Sequence, residues 1–179
     1  DFSEFRDIEI KNAYRDFVGG GILDEETMLK FVNAIGRDNA RFPMHWDDSD
    51  NAGFTTGTPW ISVNENYKKI NAAAQVNDPD SIFSYYKKLI ELRHQMEIIV
   101  YGVYKSKAIE HPDVFAYTRT LGDEKLFVVC NFREQEMDFT LEDGFTGDEK
   151  VLISNYDDVV KTENGIYLRP YEAKVFYRK

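Results

Sequence analysis

The two arginines of the segment RDNAR, residues 37–41, are the groups in this sequence best suited to hold a polyhydroxyl ligand. A planar guanidinium forms paired hydrogen bonds with a carboxylate or with adjacent sugar hydroxyls. Trp46 and Trp60 follow in the same polar stretch, and an aromatic face can stack on a pyranose ring. These residue types suit a neutral sugar, but composition alone favours a loop whose polar groups bond to one another and that holds its own shape.

Metal chemistry is disfavoured by the spacing of the possible ligands. The three histidines are scattered and form no His-x-x-x-His pair, so no zinc site is expected. The run DDSDNAG over residues 47–53 resembles the start of a calcium loop. Counting from Asp48, however, Ala52 stands at position five and Pro59 at position twelve, where oxygen ligands are required. We therefore expect a solvated acidic turn, with neither a metal nor a cofactor.

Carboxylates are too numerous for their spacing to identify a catalytic pair. Hydrolysis of a glycosidic bond needs two carboxyl groups, roughly 5 Å apart where the configuration is retained. The sequence has 32 acidic residues, and nothing in their spacing selects two of them. No catalytic residue is assigned from the residues alone.

Length, charge and cysteine content narrow the class of protein. The 179 residues suffice for one large domain or two small ones. A net charge of −10 would repel a phosphate backbone, and no apolar run approaches the ~18 residues of a membrane span. We therefore expect neither a nucleic-acid nor a membrane partner. With one cysteine and an amino terminus unlike a signal peptide, we expect a cytoplasmic protein and a cut made inside a longer chain.

Helical signals dominate the residues before 98. An apolar stripe predicts a helix over residues 3–18, stopped by three consecutive glycines at 19–21. Asp24 predicts the N-cap of a second helix, and Gly36 predicts its end. One face of this helix is expected to comprise Met28, Leu29, Val32 and Ile35.

A long irregular stretch, residues 37–77, separates these helices from a third. Irregular segments of this length inside a compact domain are often functional. The third helix is predicted over residues 79–95, with Asp78 as N-cap and Pro79 in the first helical position. One face of this helix is expected to comprise Ile82, Phe83, Tyr86, Leu89, Ile90 and Arg93.

After Ile98 the hydrophobic pattern alternates, which predicts strands. Residues 114–118 and 125–130 flank the turn 121–124 and form a hairpin signature, with Cys130 expected to be a small buried hydrophobe. Further short strands are predicted over residues 100–104, 136–141, 149–154, 166–169 and 173–178. About seven strands at this spacing indicate an antiparallel sandwich.

Two long segments carry a resemblance to a known family. Residues 37–71 read RDNARFPMHWDDSDNAGFTTGTPWISVNENYKKIN, and residues 78–93 read DPDSIFSYYKKLIELR. Both closely resemble the C-terminal part of the α-glucosidases of glycoside hydrolase family 13, most nearly the oligo-1,6-glucosidase (isomaltase) branch. The stretches at residues 5–9 and 168–173 resemble the family as well, so the resemblance covers the whole chain.

The resemblance implies an α+β chain. Residues 1–97 would be the helical end of a TIM (β/α)8 barrel, comprising the segment after its eighth strand, a substrate loop and the last barrel helix. Residues 98–179 would be an antiparallel β-sandwich C-terminal domain. The change from helical to alternating pattern near residue 98 agrees with this division.

The resemblance also implies roles for individual residues. The family's nucleophile, general acid and third carboxylate lie on earlier barrel strands, so none maps onto this chain. Arg41 resembles the residue that fixes the C4 hydroxyl of the non-reducing glucose, where it pairs with an upstream aspartate. Glu9 resembles an acid near the acceptor subsite, and Arg37 is interpreted as structural. Phe42 and His45 replace the Thr and Gln usual in the family; a structural role is favoured for His45.

The first hypothesis is therefore the C-terminal portion of a retaining α-glucosidase that hydrolyses α-1,6-linked, isomaltose-type oligosaccharides from the non-reducing end. The chain alone is expected to be inactive and to self-associate through its uncovered barrel surface. A stand-alone carbohydrate-binding or scaffold module is the alternative from another class. A related trehalose-6-phosphate hydrolase or sucrose isomerase is the alternative within the family.

Overall fold

The computed structural model describes residues 2–179, which divide into two compact units, residues up to 85 and residues 86–179. The α-helices are α1 (Ile8–Ala13), α2 (Glu25–Ile35), α3 (Ala72–Val76), α4 (Ile82–Gln95) and α5 (Glu97–Tyr101). A π-helical turn, Tyr14–Val18, continues α1, and single 3₁₀ turns form at Phe2–Glu4, Arg37–Ala40, Asp50–Gly53 and Glu65–Lys68. No helix in the described residues is long and apolar enough to span a bilayer.

The first predicted helix begins later than expected. Asp7 has an extended backbone, and its Oδ1 accepts the N–H of Glu9 at 2.8 Å, so this side chain caps the start of α1. The residues before Asp7 form a separate 3₁₀ turn, so the predicted start at residue 3 is wrong. The predicted stop is confirmed, since the π-helical turn ends at Gly19.

Helix α2 follows its predicted caps. Asp24 Oδ1 accepts the N–H of Thr27 at 2.7 Å, and Gly36 is the C-cap. Met28 and Val32 are buried and pack with Ile10 of α1 into a small core. Ile35, seven positions after Met28 on the same helix, is 81% exposed.

Residues 37–71 are irregular, as predicted, apart from three 3₁₀ turns, but the end of the predicted irregular stretch forms the helix α3. The irregular part is tightly bonded. The backbone N–H groups of Trp46 and Asp47 both donate to the carbonyl of Ala52, which closes a short loop. Asn51, Ala52 and Gly53 all have positive φ, at 52°, 58° and 65°. The loop is therefore held by its own backbone.

Helix α4 begins three residues later than predicted. Ser81, rather than Asp78, caps it: Ser81 Oγ accepts the N–H of Ser84 at 3.1 Å. Asp78 instead makes a turn in which its Oδ1 accepts the N–H of Asp80. The apolar residues of the predicted face, Ile82, Phe83, Tyr86, Leu89 and Ile90, are between 38% and 78% exposed.

The second unit contains eight antiparallel strands in addition to helical residues before Val103. The strands are β1 (Val103–Lys107), β2 (Val114–Leu121), β3 (Glu124–Asn131), β4 (Met137–Thr140), β5 (Lys150–Ser154), β6 (Val160–Thr162), β7 (Gly165–Leu168) and β8 (Ala173–Arg178). One sheet has the order β1-β2-β3-β8-β5 and the other β4-β7-β6. The predicted hairpin is confirmed, because Leu121 pairs with Glu124 across the two-residue turn.

Two details of the strand prediction are wrong. The strand expected at 100–104 is replaced by α5 and the start of β1, and strand β6 was not predicted. Arg119 stabilises the helix, because its Nη2 donates to the carbonyls of Val100 and Gly102 at the C-terminal end of α5. Cys130 is only partly buried, and that burial raises the pKa of its thiol.

The main core of the second unit contains residues from both sheets, as expected for a sandwich. Phe127 of β3 and Phe176 of β8 are fully buried in it, and the Phe127 ring lies 5.3 Å from that of Phe145. A smaller cluster forms around Ile98, Leu126 and Leu152 on the other face of the larger sheet. Burial of each such side chain contributes about 1.5–3 kcal/mol.

Candidate functional site

Arg41 lies at the end of the 3₁₀ turn Arg37–Ala40 and is ion-paired within the chain. Its Nη1 is 3.2 Å from Asp7 Oδ2 and 3.5 Å from Asp38 Oδ1. Both aspartate side chains are almost completely buried, whereas 35% of the Arg41 side chain is exposed. Asp7 is thus an upstream aspartate that Arg41 contacts within this chain, and the pairing implied by the family resemblance stays a prediction.

Asp38 joins two distant parts of the first unit. Its Oδ2 accepts the backbone N–H groups of Arg6 at 2.6 Å and Asp7 at 2.9 Å. Burial by itself would raise the pKa of Asp38, but these two donors and the charge of Arg41 together hold it below its ordinary value. Asp38 is therefore an ionised, buried carboxylate.

The arrangement determines which part of Arg41 can meet a ligand. In the described residues, Arg41 donates a side-chain hydrogen bond only from Nη1, to Asp7. Nε and Nη2 carry three N–H groups that make no hydrogen bond to the described residues, and 35% of the side chain is exposed. A guanidinium anchored in this way, with its charge balanced by carboxylates, suits the hydroxyls of a neutral sugar better than an anion.

Glu9 lies in the first turn of α1 with its side chain exposed. It lines a cavity of about 200 Å³ between α1 and α2, together with Asp7 and Arg37. Asp7 thus connects the predicted acceptor residue Glu9 with the predicted glucose-binding residue Arg41. The acceptor role of Glu9 stays a prediction.

A second cavity, of about 260 Å³, adjoins Asp38 on another side. Phe42 lies in its lining with Phe5 and the amides Asn33 and Asn39. Phe42 is one of the two departures from the family pattern, and it forms part of the wall of this cavity.

His45, the other departure, has contacts that fit a structural role. Its Nδ1 lies 3.1 Å from the carbonyl of Ile70, so Nδ1 carries the proton and donates. Its backbone carbonyl accepts the N–H of Ala72, and that of Trp46 accepts the N–H of Ala73. These bonds hold the loop against α3.

Trp46 and Trp60 are about half exposed, with 53% and 52% of their surface accessible.

Asp7 and Asp38 were not identified from the sequence as partners of Arg41. They are 31 positions apart, so no local spacing brings them together. The helix-capping pattern of Asp7 is the one local signal available, and it indicates a structural role. No group of three His, Cys, Asp or Glu within residues 2–179 is arranged to hold a metal ion.

Comparison with known proteins defines the class. The profile of the alpha-amylase catalytic domain matches residues 13–102, and that of the alpha-amylase SusG C-terminal domain matches residues 114–175. The chain belongs to the alpha-amylase family, glycoside hydrolase family 13, and combines part of its catalytic domain with a C-terminal domain of antiparallel sheets.

Individual relatives are enzymes that act on glucosides. The chain is 50% identical to an oligo-1,6-glucosidase of Parageobacillus thermoglucosidasius, over 97% of this chain and 31% of that protein. It is 42% identical to a trehalose-6-phosphate hydrolase of Bacillus subtilis, over 98% of this chain and 32% of that protein. The chain therefore spans about a third of the length of these curated relatives.

Solved structures give the same family. An isomaltulose synthase variant of Erwinia rhapontici, determined with its natural substrate sucrose, superposes with a TM-score of 0.90 at 40% identity. The trehalose-6-phosphate hydrolase of Bacillus licheniformis superposes with a TM-score of 0.89 at 42% identity. Each match covers 99% of this chain and 32% of the other.

Proposed function

We propose that this chain is the C-terminal portion of a retaining α-glucosidase that removes glucose from the non-reducing end of α-1,6-linked, isomaltose-type oligosaccharides. The observation that carries the proposal is the 50% identity with an oligo-1,6-glucosidase across 97% of the chain. Identity with the trehalose-6-phosphate hydrolase is lower, at 42% over a similar length.

In this proposal residues 1–97 complete the catalytic barrel and residues 98–179 form the C-terminal sandwich. The two profile matches support a division in this part of the chain, since the first covers residues 13–102 and the second covers residues 114–175. Chemistry is carried out by carboxylates on other strands of the longer enzyme, through a glycosyl–aspartate intermediate and with no cofactor. A cytoplasmic location stays a prediction.

The contribution of this chain is to position the substrate. Arg41 would donate to the C4 hydroxyl of the non-reducing glucose through the N–H groups that the aspartates leave free. Glu9 would face the acceptor sugar. Holding the glucose in one orientation brings its anomeric carbon to the nucleophile and lowers the entropic part of the barrier.

A trehalose-6-phosphate hydrolase or a sucrose isomerase is the second candidate, favoured by the TM-scores of 0.89 and 0.90 with such enzymes. The longer enzyme distinguishes the candidates when it is assayed on isomaltose, trehalose-6-phosphate and sucrose. We expect the highest kcat/KM with isomaltose. Release of glucose 6-phosphate from trehalose-6-phosphate, or conversion of sucrose to an isomer, at a higher kcat/KM would overturn the proposal.

The isolated 179-residue chain tests whether catalysis requires residues outside it. We expect no turnover of 4-nitrophenyl α-glucoside and no measurable heat on titration with isomaltose. Turnover would place the catalytic carboxylates within this chain. Micromolar binding would favour the stand-alone carbohydrate-binding module.

A further inference from the structure

We infer that Asp38 and Asp7 are positioning residues, which fix the guanidinium of Arg41 and thereby set recognition of the terminal glucose. This inference rests on the proposed function. Neither aspartate would touch the sugar, because both side chains are 4–5% exposed, whereas 35% of the Arg41 side chain is accessible.

Asp38 cannot reorient freely. Its Oδ2 is held by two backbone donors from the start of α1, the N–H groups of Arg6 and Asp7. Its backbone carbonyl accepts the N–H of Arg41 at 3.0 Å, which ties the two residues together in one turn. The other oxygen, Oδ1, is buried and accepts no hydrogen bond from the described residues. Oδ1 therefore depends on the charge of Arg41, 3.5 Å away.

The two carboxylate oxygens of Asp7 make different contacts. Oδ1 accepts the N–H of Glu9 and caps α1, and Oδ2 pairs with Arg41 at 3.2 Å. The position of α1, which carries Glu9, is thus linked to the position of Arg41. One aspartate connects the proposed acceptor and glucose subsites.

Two carboxylates acting on a single nitrogen explain how Arg41 can be both rigid and available. A free arginine side chain samples many rotamers, and restricting it to one of them when the sugar binds costs conformational entropy. Here Asp7 and Asp38 hold Nη1 before the sugar binds. They balance the positive charge of Arg41 without contacting Nε or Nη2. Displacement of such a group by about 1 Å can cost about 100-fold in rate.

A double-mutant cycle in the longer enzyme tests the inference. Asp38→Asn keeps the shape and an oxygen for the backbone donors but removes the charge that faces Arg41. We expect kcat/KM for isomaltose to fall 10- to 100-fold in D38N, further in R41A, and no further in the D38N/R41A double variant. Losses that multiply in the double variant would show that Asp38 acts independently of Arg41 and would overturn the inference.

A second substrate covers the case in which R41A is too slow to measure. On 4-nitrophenyl 4-deoxy-α-glucoside, which lacks the hydroxyl assigned to Arg41, wild type and D38N should have equal kcat/KM. An equal loss on both substrates would indicate a general structural effect and contradict the inference. Asp7→Asn offers the same comparison if D38N does not fold.

Asp16→Asn is the matched control, because Asp16 forms an exposed ion pair with Arg15 in the same unit. We expect kcat/KM within twofold of wild type in D16N. If the wild type cleaves another α-glucoside better than isomaltose, the same cycle is run with that substrate in place of isomaltose. A different linkage preference would therefore defeat the proposed function while the coupling of Asp38 to Arg41 is still measured.

Discussion

Glu172 and Lys174 form an ion pair in the sandwich with no exposed side-chain surface on either residue. Glu172 also accepts hydrogen bonds from the backbone N–H and the Nε of Arg169, at 2.8 and 3.0 Å. Lys174 Nζ donates in addition to Ser154 Oγ and to the carbonyl of Asp158. The network satisfies every charge that it buries, as interior ion pairs require.

Removal of one charge from this network should destabilise the second unit strongly. In Glu172→Gln, Lys174 would lose its buried counter-ion. We expect the free energy of unfolding to fall by about 3–5 kcal/mol, measured by urea denaturation of the 179-residue chain. Glu26→Gln is the control, because Glu26 pairs with Lys30 on the surface and should contribute less than about 1 kcal/mol. Similar losses in both variants would contradict this view of the network.

The same carboxylate should give the stability a defined pH dependence. Burial would raise the pKa of Glu172, but hydrogen bonds from Arg169 and Lys174 hold it below its ordinary value of 4.5. Because the pKa is lower in the folded state, the ionised group stabilises the fold above about pH 4.5, and this stability is lost as the pH falls further. Thermal unfolding from pH 7 to pH 3 should show a smaller drop in Tm for E172Q than for wild type. An equal fall of Tm with pH in E172Q and wild type would refute the assignment of this pH dependence to Glu172.

Gly53 should not tolerate a side chain. Its φ is +65°, and an added Cβ would lie 2.8 Å from both carboxylate oxygens of Asp47. We expect Gly53→Ala to lower stability by about 1–2 kcal/mol, and limited proteolysis to cut the loop 46–53 more rapidly. Gly57→Ala is the control, because a Cβ there meets only Thr55 Oγ1, at 3.8 Å. Equal proteolysis of both variants would show that the loop is not held by Gly53.

The exposed apolar face of α4 should make the isolated chain self-associate. Ile82 and Ile90 on this face are 78% and 46% exposed. Sedimentation velocity of the 179-residue chain should show concentration-dependent oligomers, which the double variant Ile82→Glu/Ile90→Glu reduces. A monomer at all concentrations in the unmutated chain would contradict the expectation.

The parts of the fold that could be predicted are those encoded by neighbouring residues. The caps of α2 at Asp24 and Gly36 and the hairpin turn at 121–124 depend on residues close in sequence, and the structure confirms them. Helix α5 could not be predicted in this way, because the carbonyls of Val100 and Gly102 at its C-terminal end are bonded by Arg119 of a later strand.

The candidate site was predictable only in part, for a similar reason. Arg41 was identified from a motif, but its partner Asp7 is 34 positions away, and no periodicity links them. Ile35 shows the converse limit: a helical pattern marks an apolar face without showing whether anything covers it.

Truncation of Arg41 tests the central claim most directly. The measurement is kcat/KM for isomaltose in the longer enzyme, for Arg41→Ala against the control Arg15→Ala, whose arginine forms an exposed pair with Asp16. We predict a loss of about 100-fold or more in R41A and a change of less than twofold in R15A. A value for R41A near that of wild type, with only the Tm lowered, would show that Arg41 is purely structural and would contradict the account.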